Sequence, residues 1–243
     1  QSIKIAEMNN LDLIIARLEH KIAEKDLNIE KGKVTALVGA SGSGKTTILN
    51  LILGLIKPTH GTIKVDNIPL EDLNHKSWLN KIGFVSQDSF MFHASISENI
   101  LLGRNAAQDS ALVLASQTAN AHQFISQLPE GYDTVIGDKG MRLSGGQLQR
   151  IALARAMINQ PEILILDEAT SSLDSVSERE VQDALDNISG DTTIIVVAHR
   201  LTTIRNADKI IVINNGQVVE EGTHVELLNL QGEYAQLARL PDP

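Results

Sequence analysis

The feature that most constrains this chain is the glycine-rich stretch at residues 39–47, which reads GASGSGKTT. It fits the pattern G-x-x-x-x-G-K-[ST] and lies between two apolar segments, residues 34–38 and 47–53. The first segment predicts a buried parallel strand and the second predicts a helix. Glycines let successive backbone N–H groups converge on phosphate oxygens, and a helix N-terminus adds partial positive charge. The stretch therefore predicts a nucleotide phosphate site rather than a simple turn before a core helix. The residues expected to line it are Gly39, Ser41, Gly42, Ser43, Gly44, Lys45, Thr46 and Thr47.

Composition narrows the classes of protein that this chain can belong to. With 243 residues and 42% hydrophobic content, it can form one large α/β domain or a domain with a subdomain, and 3% aromatic content makes the core mostly aliphatic. A formal charge of −9 without a Lys/Arg run argues against sequence-independent binding to nucleic acid. The absence of cysteine excludes disulfides and cysteine ligands or nucleophiles. No apolar run is long enough to predict a membrane span, and because the chain begins at Gln1, we expect a piece of a longer protein.

The order of the predicted elements describes a parallel α/β core with a helical insertion. Short strands occur within residues 2–30, and the stretch from about 89 to 158 is helical, with its best helices at 111–128 and 147–158. Asn214-Asn215-Gly216 predicts a type I′ hairpin. We therefore expect one domain over residues 1–243, with a core from about 1–88 and 159–243 and a helical part at about 89–158. The other predicted strands are 34–38, 61–67, 82–85, 163–166, 193–197, 209–213 and 217–219, with a crossover helix at 177–188.

Acidic and polar residues follow several of these strands. Asp167 and Glu168 come directly after the apolar run 163–166, where a phosphate-loop protein holds its metal ion. Asp167 is predicted to hold Mg2+ through a bound water, and Glu168 could accept a proton from an attacking water. His199 and Gln87 also follow strands, the position where α/β proteins place ligand contacts, although each alone is as readily structural.

A second glycine-containing helix start lies at residues 143–147, which read LSGGQ. Ser144 with Gln147 three residues later forms a capping-box pattern, but a capping box does not require the two glycines between them. Gly145 and Gly146 would permit close approach of the backbone to a ligand at a helix N-terminus. Because one nucleotide has a single triphosphate, two cradles in one chain favour head-to-tail pairing, in which each copy covers the nucleotide of the other.

Taken together, the motifs closely resemble the nucleotide-binding domain of an ABC transporter, over essentially the whole chain. In the terms of that family, the Walker A loop is 39–47, the Q-loop residue Gln87, the signature motif 143–147, the Walker B strand 163–168, the D-loop 171–174 and the switch histidine His199. Residues 95–100 and 135–140 resemble the exporter branch of the family. The resemblance implies an α/β fold with a P-loop NTPase core and mostly parallel sheet, an N-terminal antiparallel β subdomain and an inserted α-helical subdomain.

The resemblance also implies cofactors and roles. ATP and Mg2+ would be bound, with Lys45 and the loop amides on the β- and γ-phosphates and with Thr46, Gln87 and Asp167 around the metal. Glu168 would be the general base and His199 would hold the γ-phosphate, so that the catalytic set is Glu168, His199, Gln87 and Lys45. The nucleotide contacts expected outside the loop are Gln87, Ser144, Gly145, Gly146, Gln147, Asp174 and His199, with Ser144 and Gly146 acting from the other copy.

The implied partners are a second copy of the domain, in a head-to-tail ATP sandwich, and a transmembrane domain fused before residue 1. Residues 88–100 and 134–140 would face that membrane domain, at the cytoplasmic face of a bacterial inner membrane. No nucleic acid partner is expected. Peptide, lipid, lipid-linked sugar and drug all remain open as transported substrates.

The sequence departs from the family pattern at one place. Family members usually stack adenine on an aromatic about 25 residues before the Walker A loop, whereas here Trp78 is the first Phe, Tyr or Trp of the chain and His20 is the only ring within 14–22. Selectivity for ATP over GTP is therefore open. The alternatives are a soluble ABC ATPase acting on DNA or the ribosome, a metabolic kinase, and an ATP-binding scaffold without turnover. The exporter-like stretches, the signature motif and the pair Glu168 and His199 favour the transporter ATPase over these three.

Overall fold

The computed structural model describes residues 13–16, 27–87, 90–102, 109–137, 140–169, 173–198 and 204–239. Within them the strands form a four-stranded sheet, a six-stranded sheet and a two-stranded ribbon. The strands are β1 Leu13–Ala16, β2 Leu27–Ile29, β3 Val34–Val38, β4 Thr62–Val65, β5 Ile68–Pro69, β6 Ile82–Val85, β7 Ala94–Ser95, β8 Val135–Ile136, β9 Ile163–Asp167, β10 Thr193–Val197, β11 Lys209–Asn214 and β12 Gln217–Gly222.

The six-stranded sheet forms the centre of the molecule, in the order β12-β11-β3-β10-β9-β6. All neighbouring pairs are parallel except β11 with β12. Its strands are nearly continuous aliphatic runs, and every residue of β10 is buried, as expected for a parallel strand covered on both faces. Leu37, Val197 and Asp167 pair across β3, β10 and β9, so the carboxyl ends of these strands lie at one edge of the sheet.

The four-stranded sheet, in the order β2-β1-β4-β5, is antiparallel throughout and confirms the predicted N-terminal antiparallel part. Two tight hairpins carry paired positive φ angles, as a type I′ turn requires. They are Asp66 and Asn67 between β4 and β5, with φ of 51° and 65°, and Asn215 and Gly216 between β11 and β12, with φ of 49° and 76°. The second confirms the hairpin predicted from the Asn-Gly pair.

The helices are α1 Lys45–Ile52, α2 His75–Leu79, α3 Ile96–Leu101, α4 Asp109–Thr118, α5 His122–Gln127, α6 Gly145–Met157, α7 Ser175–Ile188, α8 His224–Leu230 and α9 Glu233–Leu237. Helices α3 to α6 lie between β6 and β9 in the chain, and α6 packs against α3, α4, α7 and β6. No described helix is long and apolar enough to cross a membrane. The boundaries drawn near residues 88 and 159 stay a prediction.

One predicted helix is wrong as a single element. Residues 111–128 form parts of two helices, because Asn120 takes a left-handed φ of 53° and the chain turns there. Asparagine tolerates this conformation better than most residues. The turn is also held from outside: Arg150 donates to the carbonyl of Asn120 at 2.9 Å, and the Asn120 amide donates to the carbonyl of Glu180 at 3.1 Å. Tertiary contacts therefore override the helical pattern of the sequence.

Candidate nucleotide-binding site

The carboxyl edge of the central sheet brings the predicted site residues towards one another. The loop 39–44 follows β3, Asp167 ends β9, and Gln87 lies two residues after β6. Because parallel strands end at the same edge, these three separate stretches of sequence meet there. His199 follows β10, but it lies outside the described residues.

The glycine-rich loop is shaped by contacts that only glycine permits. Gly39 has a φ of 155°, and a Cβ placed on it would lie 2.1 Å from the carbonyl oxygen of Ile213. Gly44 has a φ of 110° and is the N-cap of α1, which has no side-chain cap. The first-turn N–H groups of α1 are thus not capped by a side chain, as an anion site at a helix N-terminus requires. The buried hydroxyl of Ser43 also has no hydrogen-bond partner, which fits a loop that receives a polar ligand.

The ammonium group of Lys45 lies within this loop. Its Nζ donates to the carbonyl oxygens of Gly39 at 2.8 Å and Ala40 at 3.0 Å, and the residue is only 5% exposed. Burial lowers the pKa of Lys45 below its ordinary value, while the negative charges of Glu168 and Asp167 act in the opposite direction. The lysine is therefore held in place by the loop, and the field of both carboxylates reaches it.

The two carboxylates sit at a bend in the chain. Asp167 is the half-buried last residue of β9, and Glu168 has a φ of 51° with its N–H donating to the carbonyl of Val197 at 2.9 Å. A glutamate in the left-handed region is uncommon, and such backbone outliers cluster at functional sites. The bend changes the direction of the chain directly after Asp167, which allows two consecutive acids to serve different partners. Sequence reasoning found both acids but had no signal for this conformation.

The residues predicted around Mg2+ offer the oxygen ligands that this ion prefers. Thr46 contributes an exposed hydroxyl in the first turn of α1, Asp167 a carboxylate and Gln87 an exposed side-chain amide. Within the described part of the chain no group of three or more His, Cys, Asp or Glu residues could hold a metal ion by itself. The donor set fits an ion that takes several of its ligands from phosphate and water.

Residues 143–147 form the predicted helix start. Ser144 is the N-cap of α6, its Oγ accepting from the N–H of Gln147 at 3.2 Å, while the Gln147 side chain accepts from the N–H of Ser144 at 2.9 Å. The capping box is therefore confirmed. Ser144 and Gly145 are exposed, whereas Gly146 is buried against α7, where a Cβ would lie 2.3 Å from the Cβ of Ser177. The sequence analysis explained the glycine at position 146 by a bound ligand. The structure shows that packing against Ser177 of the same chain also requires a glycine there.

Asp174 caps the neighbouring helix. Its Oδ1 accepts from the N–H groups of Val176 at 3.1 Å and Ser177 at 3.0 Å, and its Oδ2 accepts from the hydroxyl of Ser177 at 2.8 Å. These hydrogen bonds, led by those from Ser177, lower the pKa of Asp174. Asp174 therefore fixes the start of α7 directly beside Gly146. Its predicted contact with the nucleotide stays a prediction.

Three contacts that support the loop and its helix were missed by sequence reasoning. Trp78 donates from its indole Nε1 to the carbonyl of Ile52 at 2.8 Å, and His75 Nε2 lies 3.0 Å from the carbonyl oxygen of Leu53. These contacts serve the C-terminal end of α1, where helix carbonyls lack internal partners. At the other end, Gly216 donates its N–H to the carbonyl of Ser43 at 2.8 Å. The Asn-Gly turn could be recognised in the sequence, but its contact with the phosphate loop at Ser43 could not.

The fold and this loop together define a P-loop NTPase, with a mostly parallel sheet and added antiparallel strands. Residues 22–171 match the family model described as ABC transporter, and the chain belongs to that family. It is a nucleotide-binding domain of the exporter type.

Relatives and a solved structure agree with this assignment. The chain is 53% identical over 215 residues to a protein of Staphylococcus aureus strain COL named as a multidrug export ATP-binding/permease protein, covering 88% of this chain and 37% of the relative. The corresponding protein of a bovine strain is 52% identical with the same coverage. The structure of a bacterial Atm1-family ABC exporter with ATP bound superposes with a TM-score of 0.84 and 34% identity, covering 94% of this chain and 42% of that one. The chain thus spans little more than a third of the length of these curated relatives.

Proposed function

We propose that this domain hydrolyses ATP to power export or flipping of a substrate across a membrane, as the engine of an ABC exporter. The observation that carries the proposal is the meeting of the phosphate loop, Lys45 and the acid pair Asp167 and Glu168 at one edge of the sheet. A soluble ABC ATPase acting on DNA or the ribosome is less favoured, because the relatives are named export ATP-binding/permease proteins and the structural neighbour is an exporter.

The residues of this chain divide the chemistry among them. Lys45 and the N–H groups of the loop hold the β- and γ-phosphates, which orients the terminal phosphate and offsets its charge. Glu168 accepts a proton from the attacking water, and Gln87 and His199 orient that water and the γ-phosphate. Thr46, Asp167 and Gln87 are the residues that would hold Mg2+, which neutralises phosphate charge when it is bound.

The second half of each site is proposed to come from another copy of the domain. Ser144 and Gly145 are exposed at the N-terminus of α6, a helix of 13 residues, so they can reach a neighbour's phosphate. Gly146 and Gln147 shape this turn, and Asp174 holds it beside α7. A head-to-tail dimer would place two nucleotides between two such surfaces.

The membrane domain is proposed to dock on an exposed apolar surface formed by Phe90, Phe92, Val135 and Met141, which we call the docking surface. These four side chains are 68%, 49%, 41% and 39% exposed, and the rings of Phe90 and Phe92 meet edge to face at 5.0 Å. They lie around the β7–β8 ribbon, where Ser95 pairs with Val135 and Ile136 bridges to Met141. Exposed apolar patches of this kind are typical of protein interfaces.

The docking surface is tied to α6 by one half-buried arginine. Arg155 donates to the carbonyl oxygens of Asn99 at 2.8 Å and Phe90 at 2.9 Å, and its guanidinium lies 3.0 Å from the sulfur of Met91. Asn99, itself 1% exposed, bonds back to both backbone groups of Phe92. A shift of the docking surface would therefore reach the helix that begins at the Ser144 turn.

We propose that the domain lies at the cytoplasmic face of a bacterial inner membrane.

The experiment that tests hydrolysis replaces Glu168 by glutamine. The amide is nearly isosteric but cannot accept a proton, so turnover should fall by about 10²–10⁴ while nucleotide affinity is kept. Because hydrolysis opens the sandwich, the variant should accumulate as a dimer in ATP and Mg2+, measured by sizing. Glu162→Gln, directly before the same strand, is the matched control and should hydrolyse normally. A Glu168→Gln protein with near wild-type turnover would remove this residue from the role.

A further inference from the structure

The tip of the β11–β12 hairpin, residues 215–216, lies directly against the phosphate loop. The N–H of Gly216 donates to the carbonyl oxygen of Ser43 at 2.8 Å, and a Cβ on Gly44 would lie 3.5 Å from the Cα of Gly216. At the other end of the loop, a Cβ on Gly39 would lie 2.1 Å from the carbonyl oxygen of Ile213. Backbone of the hairpin therefore touches backbone of the loop at both of its ends.

The hairpin is itself held firmly. Strand β11 pairs with β3 up to Val212 and Val38, directly before the loop begins. The side-chain amide of Asn214 donates to the carboxylate of Glu233 in α9, which anchors the hairpin from behind. The positive φ of 76° at Gly216 completes the turn that brings its N–H to Ser43. The position of this donor is thus set by elements that do not themselves belong to the phosphate loop.

The orientation of one peptide group depends on this contact. The peptide between Ser43 and Gly44 is planar and trans, so its C=O and its N–H point in opposite directions. Because the hairpin holds the Ser43 carbonyl, the N–H of Gly44 must point away from the hairpin. Were this peptide to rotate, a carbonyl oxygen would take the place of the N–H and would repel a phosphate.

We propose that Gly216 is a positioning residue for nucleotide binding: it fixes the Ser43–Gly44 peptide so that the N–H of Gly44 faces the phosphates. The inference rests on the proposed function of the loop. It assigns to the hairpin a role in phosphate binding without any contact to the nucleotide. By linkage the effect is reciprocal, so bound ATP must stabilise the hairpin tip.

The test compares substitutions at two glycines that both have a positive φ, 76° at Gly216 and 102° at Gly190. Valine is strongly disfavoured at positive φ, whereas asparagine tolerates it, so Gly216→Val should shift the tip and Gly216→Asn should keep it. Loss of one oriented hydrogen bond should weaken ATP binding about threefold to tenfold in Gly216→Val, measured by calorimetry. Gly190→Val is the matched control, because Gly190 has a φ of 102°, has no atom near its Cβ position and precedes β10 at the opposite edge of the sheet. Gly190→Val should lower Tm by about as much as Gly216→Val does and should leave ATP affinity unchanged.

A second measurement does not depend on folding of the variants. In the wild-type chain, ATP with Mg2+ should slow hydrogen exchange at the Gly216 amide by about threefold or more, while the β4–β5 turn at residues 66–67, in the other sheet, keeps its rate. Unchanged exchange at Gly216, or equal ATP affinity in Gly216→Val and wild type, would overturn the inference. If Lys45→Ala also bound ATP like the wild type, the proposed function itself would fail. If Lys45→Ala lost affinity while Gly216→Val kept it, only the proposed role of Gly216 would fail.

Discussion

Gly146 in α6 and Ser177 in α7 are packed so closely that any side chain at position 146 would force its surroundings to move. A Cβ there would lie 2.3 Å from the Cβ and 2.4 Å from the Oγ of Ser177, a residue whose hydroxyl is bonded to Asp174. The start of α6 and the start of α7 are therefore in direct contact. The same two helices are joined further along by the ion pair of Arg150 and Glu180 at 2.9 Å. We conclude that the Ser144 turn and the Asp174 cap hold a fixed relative position.

The first prediction tests that contact. Gly146→Ala should lower the free energy of unfolding by about 1–3 kcal/mol, because the added methyl group overpacks the junction. In the double variant Gly146→Ala, Ser177→Gly the space is restored, so the two changes should cost less together than the sum of the single ones. Denaturant titrations of the four proteins measure this coupling. Gly145→Ala is the control, since its Cβ would make an ordinary 3.5 Å contact with Leu173 and should cost less than about 0.5 kcal/mol.

The second prediction concerns the charge in the phosphate loop. Lys45→Ala should weaken ATP binding at least about tenfold, because charge-assisted hydrogen bonds contribute about 1.5–3 kcal/mol each. Lys33→Ala makes the same charge change at the other end of β3, where the lysine is half exposed and paired with Asp208, and should bind ATP normally. Calorimetry on both proteins separates a local role from a general effect of charge. Equal affinities in the two variants would contradict the placement of the triphosphate.

The third prediction concerns the far end of α1. Trp78→Phe removes the donor to the carbonyl of Ile52 inside the core, where Trp78 is 2% exposed, and should cost about 1–3 kcal/mol of unfolding free energy. His75→Ala removes the neighbouring contact to Leu53, but His75 is exposed and water can replace it, so the cost should stay below about 1 kcal/mol. Thermal or denaturant unfolding compares the two. A larger cost at His75 would show that the cap, not the buried indole, secures the helix.

Local sequence rules predict some of these features and not others. The loop 39–47, the capping box at Ser144 and the Asn-Gly hairpin are each encoded within a few residues, and local rules predict them. Other features depend on residues far away in the chain, so no local pattern predicts them. They are the left-handed turn at Asn120 and the contact of Gly216 with Ser43. The same holds for Gly146: its sequence neighbourhood suggested a ligand, and only the packing of two helices shows the contact with Ser177.

The last prediction tests whether residues 143–147 act on a neighbouring copy. Ser144→Arg places a bulky cation where a partner's phosphate is proposed to lie. If the turn were merely a helix cap, the change would cost about 0.5–2 kcal/mol of stability and little activity. If it covers the partner's nucleotide, the protein should still bind ATP through its own loop but should neither dimerise nor hydrolyse. Thr223→Arg is the matched control, because Thr223 caps α8 with the same capping box, and it should remain active.

Mixing Ser144→Arg with Lys45→Ala gives the decisive comparison. In a heterodimer one site combines the Lys45→Ala loop with the introduced arginine and is wholly spoiled, while the other site contains an unchanged loop and an unchanged Ser144. Two inactive proteins should therefore recover part of the ATPase rate when mixed, measured as phosphate release against each protein alone. Mixing Glu168→Gln with Lys45→Ala should not restore a complete site, because both defects lie on the loop side of each chain. A Ser144→Arg protein that hydrolyses ATP by itself would contradict the proposal that two copies share each site.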